Sequence, residues 1–125
     1  MSDVSAHIIL VDDEPGVLTA LKLLLGALQY KVTDFIDARA ALDFIRLADP
    51  NNYVVVSDLR MPDLDGIQLV AAMRSQSLTH PFILMSGHAT SEDINKALKT
   101  GANAFLSKPF TPDQFRNALA QLNKN

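Results

Sequence analysis

The sequence predicts an α/β domain in which a doubly wound, five-stranded parallel sheet carries helices on both faces. Short apolar runs of strand length alternate five times with longer runs of helical spacing along the 125 residues. This alternation favours right-handed strand–helix–strand crossovers and therefore a parallel (βα)5 arrangement. Four of the strand-like runs are followed by polar or charged residues, at Asp12-Asp13, Asp58, Ser86 and Lys108. Because open α/β sheets bind ligands at the carboxyl ends of their strands, we expect these side chains to meet in one cleft.

The first half of the chain contains three predicted strands and two helices. Residues 8–11 form a continuously apolar strand of the kind that is covered on both faces, whereas residues 31–35 alternate as a strand nearer the edge. Between them, Pro15 fits the first position of a helix whose leucines recur at helical spacing. Asp37 is a suitable N-cap for the second helix, and residues 53–56 form the third strand.

The second half of the chain repeats this cycle. Two spacings, Thr90 to Asp93 and Thr111 to Gln114, match the capping box that begins many helices. The predicted elements are a helix over about residues 67–74, a strand over residues 82–85, a helix that Gly101 closes, a strand over residues 104–106 and a last helix that ends near Leu122. Five such strands suit the flavodoxin-like order 2-1-3-4-5, in which strands 1 and 3 flank the ligand-binding crevice.

Composition and charge exclude several classes of protein. We expect a single domain over residues 1–125, since 48% of the residues are hydrophobic and suffice for a core. The net charge of −3 without a basic stripe argues against direct nucleic-acid binding, and the lack of cysteine excludes disulfides. His7 and His80 flank strands and are expected at the surface. The sequence contains no metal-binding pair of histidines, so a zinc site is not predicted. No apolar stretch approaches the roughly 20 residues of a membrane span, and no signal peptide is recognisable, so we expect a cytoplasmic protein.

The carboxylates of Asp12, Asp13 and Asp58 would repel one another in a shared cleft. A like-charge pair about 4 Å apart costs on the order of 4 kcal/mol at an effective dielectric near 20, so such a cluster raises a pKa or binds a cation. Hard oxygen ligands favour Mg²⁺, which is often shared with phosphate oxygens. Asp58 is the natural nucleophile for an aspartyl phosphate, while Lys108 and the Ser86 hydroxyl would contact the phosphoryl group. Taken alone, the Asp12-Asp13 pair is equally compatible with capping the following helix.

Four sequence blocks resemble the signature blocks of two-component response-regulator receiver domains of the CheY-like type. They occur in order over about residues 8–122, and they are Val11-Asp12-Asp13-Glu14, the segment from Ser57-Asp58 to Asp65-Gly66, Met85-Ser86-Gly87 and Lys108-Pro109-Phe110. The resemblance implies that Asp58 accepts a phosphoryl group from a sensor histidine kinase or a phosphotransfer protein. It also implies that Asp13 and Asp58 bind Mg²⁺ directly, Asp12 through water, and Arg60 through its backbone carbonyl.

The same resemblance assigns the residues that report phosphorylation. Ser86 and Lys108 would contact the phosphoryl oxygens, Lys108-Pro109 would be a cis peptide, and Phe105 would turn inward as the hydroxyl residue moves. A downstream protein or output domain would bind the face formed by the fourth helix, fifth strand and fifth helix. A phosphorylation-dependent homodimer through this face is an alternative. Candidate residues on this face are Ile94, Lys96, Lys99, Gln114 and Asn117.

Two positions carry a separate hypothesis about the lifetime of the phosphorylated form. Arg60 and His88 lie two residues after Asp58 and Ser86, where side chains can overhang a phosphoryl group. We therefore expect Arg60 and His88 to influence the access of the hydrolytic water.

Alternative functions remain open at this point. A Mg²⁺-dependent phosphohydrolase with an aspartyl nucleophile usually carries Asp-x-Asp after the first strand, where this chain has Asp12-Asp13-Glu14. A pseudo-receiver that never takes phosphate would be expected to lack site residues, and a flavodoxin-like electron carrier would need a hydroxyl- and glycine-rich loop. We therefore expect a signalling domain with self-catalysed phosphoryl transfer and autodephosphorylation, and not a turnover enzyme. Because the tail Asn123-Lys124-Asn125 is short, the domain is either a stand-alone regulator or a receiver from a longer chain.

Overall fold

The computed structural model describes residues 6–122, so the amino terminus and the tail Asn123-Lys124-Asn125 lie outside the described residues. Strands and helices alternate as predicted: β1 (His7–Val11), α1 (Pro15–Ala27), β2 (Lys31–Phe35), α2 (Ala38–Leu47), β3 (Tyr53–Asp58), α3 (Gly66–Ser75), β4 (Phe82–Ser86), α4 (Ser91–Thr100), β5 (Ala104–Ser107) and α5 (Pro112–Leu122). One sheet has the order β2-β1-β3-β4-β5, and each pair of neighbouring strands is parallel. The predicted fold class and strand order are therefore confirmed.

Four of the strands extend beyond the apolar runs that predicted them. β1 begins at His7, β3 ends at Asp58, β4 ends at Ser86 and β5 ends at Ser107. Strand pairing uses main-chain groups, so polar residues continue the ladder: Asp58 is paired with Met85, and Ser86 is paired with Ser107. The sheet itself therefore fixes the backbone of Asp58 and Ser86.

Local capping determines where the helices begin. Asp37 caps α2 through its side chain, and capping boxes join Thr90 to Asp93 and Thr111 to Gln114, as their spacing predicts. A further capping box begins α3 one residue earlier than predicted. Each cap pairs backbone N–H groups that a helix leaves without an internal partner, and each contributes about 1 kcal/mol.

Apolar side chains pack against both faces of the sheet. Ile9 and Val11 belong to a core with α2, α3 and α4, whereas Ile8 and Leu10 belong to a second core with α1 and α5. The four apolar side chains of β1 are fully buried, and burying each one stabilises the fold by about 1.5–3 kcal/mol. This confirms the doubly wound arrangement. Among residues 6–122, no helix is both long enough and apolar enough to cross a membrane.

The surface position predicted for His80 is wrong. Its side chain is 1% exposed, and its Nε2 donates a hydrogen bond over 2.7 Å to the carbonyl of Ala48, the C-cap residue of α2. The imidazole is buried because it pairs a carbonyl that the end of the helix leaves without a partner. His7 is half-buried, since its ring stacks on Tyr53 with centroids 4.6 Å apart and its Nε2 lies 2.7 Å from Oγ1 of Thr33.

Gly66 is a point of close approach between α3 and the sheet. A Cβ atom at this position would overlap the carbonyl oxygen of Asp58 and lie 2.7 Å from Cδ1 of Leu84. Only glycine therefore allows the first turn of α3 to lie against the carboxyl end of β3. This contact helps to hold the backbone of Asp58 in place.

The substitution Gly66→Ala is expected to lower the free energy of unfolding by about 1–3 kcal/mol, because the added methyl group forces the backbone to shift. Gly26→Ala is the matched control, since a Cβ atom there meets nothing within 4 Å. In the helix α1 this control is expected to raise the free energy of unfolding by about 0.5–1 kcal/mol. Urea unfolding measures both changes, and equal effects of the two substitutions would contradict the role of Gly66.

Candidate functional site

The acidic side chains at the strand ends meet in one cleft, as the parallel order predicts. Asp12 and Asp13 follow β1, and Asp58 is the last residue of the neighbouring strand β3. One carboxylate oxygen from each of the three residues lies within 4.8 Å of the others. A cation placed among them would be attracted by all three carboxylates, so this cluster is the candidate metal site.

Lys108 supplies a positive charge inside this cleft. Its Nζ lies 3.0 Å from Oδ2 of Asp12 and 3.0 Å from Oδ1 of Asp58. Its backbone N–H donates to the carbonyl of Ser86, which places the residue directly beside the end of β4. The peptide bond between Lys108 and Pro109 is cis, as the resemblance implies. The ammonium group therefore joins two buried carboxylates at the carboxyl ends of neighbouring strands, β1 and β3.

Burial and charge act on the pKa values of this cluster in opposite directions. Burial raises the pKa of Asp58, the Lys108 ammonium offsets part of this rise, and the charges of Asp12 and Asp13 add to it. Burial alone would lower the pKa of Lys108, but its hydrogen bonds and attraction to Asp58 and Asp12 outweigh burial and raise it. When ionised, three carboxylates face one ammonium group, so a divalent cation would neutralise the remaining charge.

The contacts of Asp12 and Asp13 bear on the choice between helix capping and metal binding. Oδ1 of Asp12 accepts a hydrogen bond from the backbone N–H of Glu14 over 3.0 Å. Glu14 is the N-cap residue of α1, and its side chain makes no capping hydrogen bond. Within residues 6–122, no hydrogen-bond donor or cation contacts the half-buried side chain of Asp13. Neither aspartate therefore caps α1, and the Asp13 carboxylate is available to a cation.

An open pocket of about 390 Å³ gives access to the Asp58 carboxylate. The Ser86 side chain is 3% exposed, and its Oγ accepts a hydrogen bond from the backbone N–H of His88 over 3.1 Å. The hydroxyl group keeps its own hydrogen for donation to a ligand. Arg60 and His88 both line the pocket. The lining residues are Glu14, Asp58, Arg60, Ser86, Gly87, His88 and Lys108.

Two features of the pocket were missed by the sequence reasoning. Nη2 of Arg60 donates a hydrogen bond over 3.0 Å to Oδ2 of Asp93, which lies 33 residues later in α4. The capping-box spacing identifies Asp93 only as a helix residue, and no local signal joins it to Arg60. Glu14 also lines the pocket. Its position next to Asp12 and Asp13 was the only sequence signal that placed it near the site.

The residues assigned to the report of phosphorylation lie at the end of β4 (Ser86), on β5 (Phe105) and directly after β5 (Lys108 and Pro109). Phe105 is half-buried on β5 and packs at the edge of the core that contains α2, α3 and α4. It also lines an open groove of about 300 Å³ together with residues of α5. Among the candidate residues on this face, Ile94 is half-buried. The other four are exposed, and they are Lys96, Lys99, Gln114 and Asn117.

Comparison with known proteins identifies the family. The family model of the response regulator receiver domain matches residues 8–120. The transcriptional regulatory protein FixJ of Bradyrhizobium diazoefficiens is 41% identical over 108 residues, which cover 86% of this chain and 52% of FixJ. The C4-dicarboxylate transport transcriptional regulatory protein DctD of Pseudomonas aeruginosa is 38% identical over 117 residues, which cover 94% of this chain and 25% of DctD. The chain thus spans about half the length of FixJ and a quarter of DctD.

Solved structures share the architecture described above. The crystal structure of FixJ-N superposes with a TM-score of 0.88 at 30% identity and covers 100% of this chain and 97% of that chain. The chemotaxis protein CheY4 of Vibrio cholerae gives a TM-score of 0.82 at 28% identity, with 93% and 97% of the two chains covered. The four sequence blocks, the strand order and these matches agree. The chain therefore belongs to the family of response regulator receiver domains, which act in two-component signalling.

Proposed function

We propose that this receiver domain is a phosphorylation-dependent switch that accepts a phosphoryl group on Asp58. The position of Asp58 carries the proposal: it lines an open pocket beside the Lys108 ammonium and two further carboxylates. A carboxylate can attack a phosphoryl group and form an aspartyl phosphate. The donor would be the phosphohistidine of a sensor histidine kinase or of a phosphotransfer protein. The domain would comprise residues 1–125 and would act as a signalling domain, with only self-catalysed transfer and autodephosphorylation.

We propose that Mg²⁺ is the cofactor, bound directly by Asp13 and Asp58, through water by Asp12, and by the backbone carbonyl of Arg60. The donor set supports this choice, because hard oxygen ligands in an open site suit Mg²⁺. The unpaired Asp13 carboxylate within the described chain is a second supporting observation. When bound, the ion would neutralise negative charge on the transferring group.

The side chains around Asp58 would have separate roles in phosphoryl transfer. The Asp58 carboxylate forms a bond to phosphorus while the bond from phosphorus to the donor's imidazole nitrogen breaks. The Lys108 ammonium, which contacts Asp58 in the absence of phosphate, would then contact a phosphoryl oxygen. The Ser86 hydroxyl would donate a hydrogen bond to another oxygen of the group. Autodephosphorylation follows when water attacks phosphorus and releases the Asp58 carboxylate.

The movement of Ser86 and Lys108 toward the phosphoryl group would be transmitted to β5. Phe105 lies on β5, which ends directly before Lys108, and Pro109 directly follows Lys108, so both are placed to report a shift at the end of this strand. FixJ and DctD are named as transcriptional regulatory proteins. We propose that the face formed by α4, β5 and α5 contacts a downstream protein or output domain, or a second copy of this domain.

Incubation with acetyl phosphate and Mg²⁺ is expected to produce a slower band on a phosphate-affinity gel, and Asp58→Asn is expected to abolish it. Asp113→Asn is the matched control, since it removes a carboxylate on α5 outside the pocket. Equal phosphorylation of the wild type and Asp58→Asn would contradict the assignment of the acceptor. Rapid multiple turnover of phosphomonoesters would instead favour the phosphohydrolase.

Mg²⁺ is expected to stabilise the wild type, and Asp13→Asn is expected to remove this effect. A ligand that binds only the folded state stabilises it by about 2.7 kcal/mol at 100 times its dissociation constant. Thermal unfolding with EDTA and with increasing Mg²⁺ measures the effect. Asp13 has no hydrogen-bond or ion-pair partner among residues 6–122, and its charge repels those of Asp12 and Asp58, so the variant should be at least as stable as the wild type in EDTA. Full Mg²⁺ stabilisation of Asp13→Asn would contradict the metal site.

The variants Arg60→Ala and His88→Ala are expected to lose the phosphoryl group faster than the wild type. Both side chains line the pocket, so their removal gives water freer access to phosphorus. The measurement is the decay of the phosphorylated form after the phosphate donor is removed. Unchanged decay rates in both variants would show that neither side chain controls the access of water.

A further inference from the structure

The contact between Arg60 and Asp93 joins the pocket to α4, a helix that carries none of the residues lining the pocket. Arg60 follows β3 and lines the pocket, whereas Asp93 lies in the first turn of α4. Nη2 of Arg60 lies 3.0 Å from Oδ2 of Asp93, and their side chains are 63% and 25% exposed. The carboxylate is thus the more shielded partner, and the guanidinium is the more exposed one.

Asp93 is held in position independently of Arg60. Its Oδ2 accepts a hydrogen bond from the backbone N–H of Thr90 over 3.1 Å, and its own N–H donates to Oγ1 of Thr90 over 3.1 Å. The Thr90 backbone contact lowers the pKa of Asp93 most strongly, and the charge of Arg60 lowers it further. The capping box therefore stays complete when Arg60 leaves, and Asp93 offers a fixed negative charge.

Arg60 has donors to spare for a second partner. Among residues 6–122, its only hydrogen bond is the one from Nη2 to Asp93, so Nε and Nη1 remain free. A guanidinium group binds phosphate oxygens through two parallel hydrogen bonds, and charge-assisted bonds of this kind are stronger than neutral ones. An exposed ion pair, by comparison, contributes only about 0.2–1 kcal/mol. A phosphoryl group on Asp58 can therefore withdraw Arg60 from Asp93.

We propose that Asp93 is a positioning residue, which competes with the phosphoryl group on Asp58 for the guanidinium of Arg60. In the unphosphorylated domain, Asp93 holds Arg60 at the rim of the pocket and ties the loop after β3 to the first turn of α4. In the phosphorylated domain, Arg60 contacts the phosphoryl oxygens, and this tie to α4 is lost. The inference rests on the proposed function of Asp58.

The test is a double-mutant cycle on the binding of beryllofluoride, a noncovalent phosphoryl analogue, in the presence of Mg²⁺. The affinity is measured by NMR titration for the wild type, Asp93→Asn, Arg60→Gln and the double variant. Asp93→Asn keeps an oxygen that can accept from Thr90, and it is expected to bind about two to five times more tightly because Arg60 is released. Arg60→Gln is expected to bind more weakly, and Asp93→Asn should then bring little further gain.

The Arg60→Gln background separates competition from simple repulsion. If Asp93 only repels the anion, removal of its charge would raise the affinity for beryllofluoride equally with Arg60 and with Gln at position 60. Release of Arg60 can raise the affinity only where Arg60 is present. Asp113→Asn is the matched control, because it removes a carboxylate from the first turn of α5 that also contacts an arginine, Arg116. This control is expected to leave the affinity unchanged.

A second readout follows the Asp93 carboxylate itself. Beryllofluoride is expected to raise the pKa of Asp93 in the wild type by more than in Arg60→Gln, because only the wild type loses the contact with Arg60. If beryllofluoride binds and Asp93→Asn raises its affinity equally in the wild type and in Arg60→Gln, the inference about Asp93 is overturned and the proposed function of Asp58 is not. Failure of the wild type to bind beryllofluoride would overturn the proposed function and the inference with it.

Discussion

The bridge from Lys108 to Asp12 and Asp58 is the interaction on which the site depends. It joins residues up to 96 positions apart in sequence, and it can form only when β1, β3, β4 and β5 lie side by side and parallel. Asp12 has no exposed surface, so the loss of the ammonium would leave a buried, unpaired carboxylate at a cost of about 3–5 kcal/mol. The fold and the charge arrangement therefore stabilise each other.

The site holds more negative charge than its lysine can neutralise, and this excess connects the structure to the proposed chemistry. Asp13 has no protein partner within the described chain, and burial raises the pKa of Asp58. Two cations, Lys108 inside the cleft and Arg60 at its rim, are both paired with carboxylates before any phosphoryl group arrives. We propose that Lys108 and Arg60 both exchange these carboxylates for phosphoryl oxygens. The exchange at Lys108 would then act on β5, and the exchange at Arg60 would act on α4.

Features that depend on neighbours in the sequence or on the strand order could be predicted, and contacts that depend on how the helices pack could not. The cap at Asp37 and the capping boxes follow from residues three or fewer positions apart, and the convergence of Asp12 and Asp58 follows from the parallel strand order. The burial of His80 depends on the end of α2, 32 residues earlier. The ion pair of Arg60 and Asp93 likewise depends on how α4 packs, which no local pattern encodes.

Chemical trapping of the phosphorylated form identifies the residue that accepts the phosphoryl group. Borohydride reduces an aspartyl phosphate to homoserine, so mass spectrometry of the digested protein locates the residue that carried the phosphoryl group. We expect homoserine to replace Asp58 after treatment with acetyl phosphate and Mg²⁺, and we expect none to form when Mg²⁺ is removed by EDTA. Homoserine at Asp12 or Asp13, or its absence from a folded protein treated in the same way, would contradict the account.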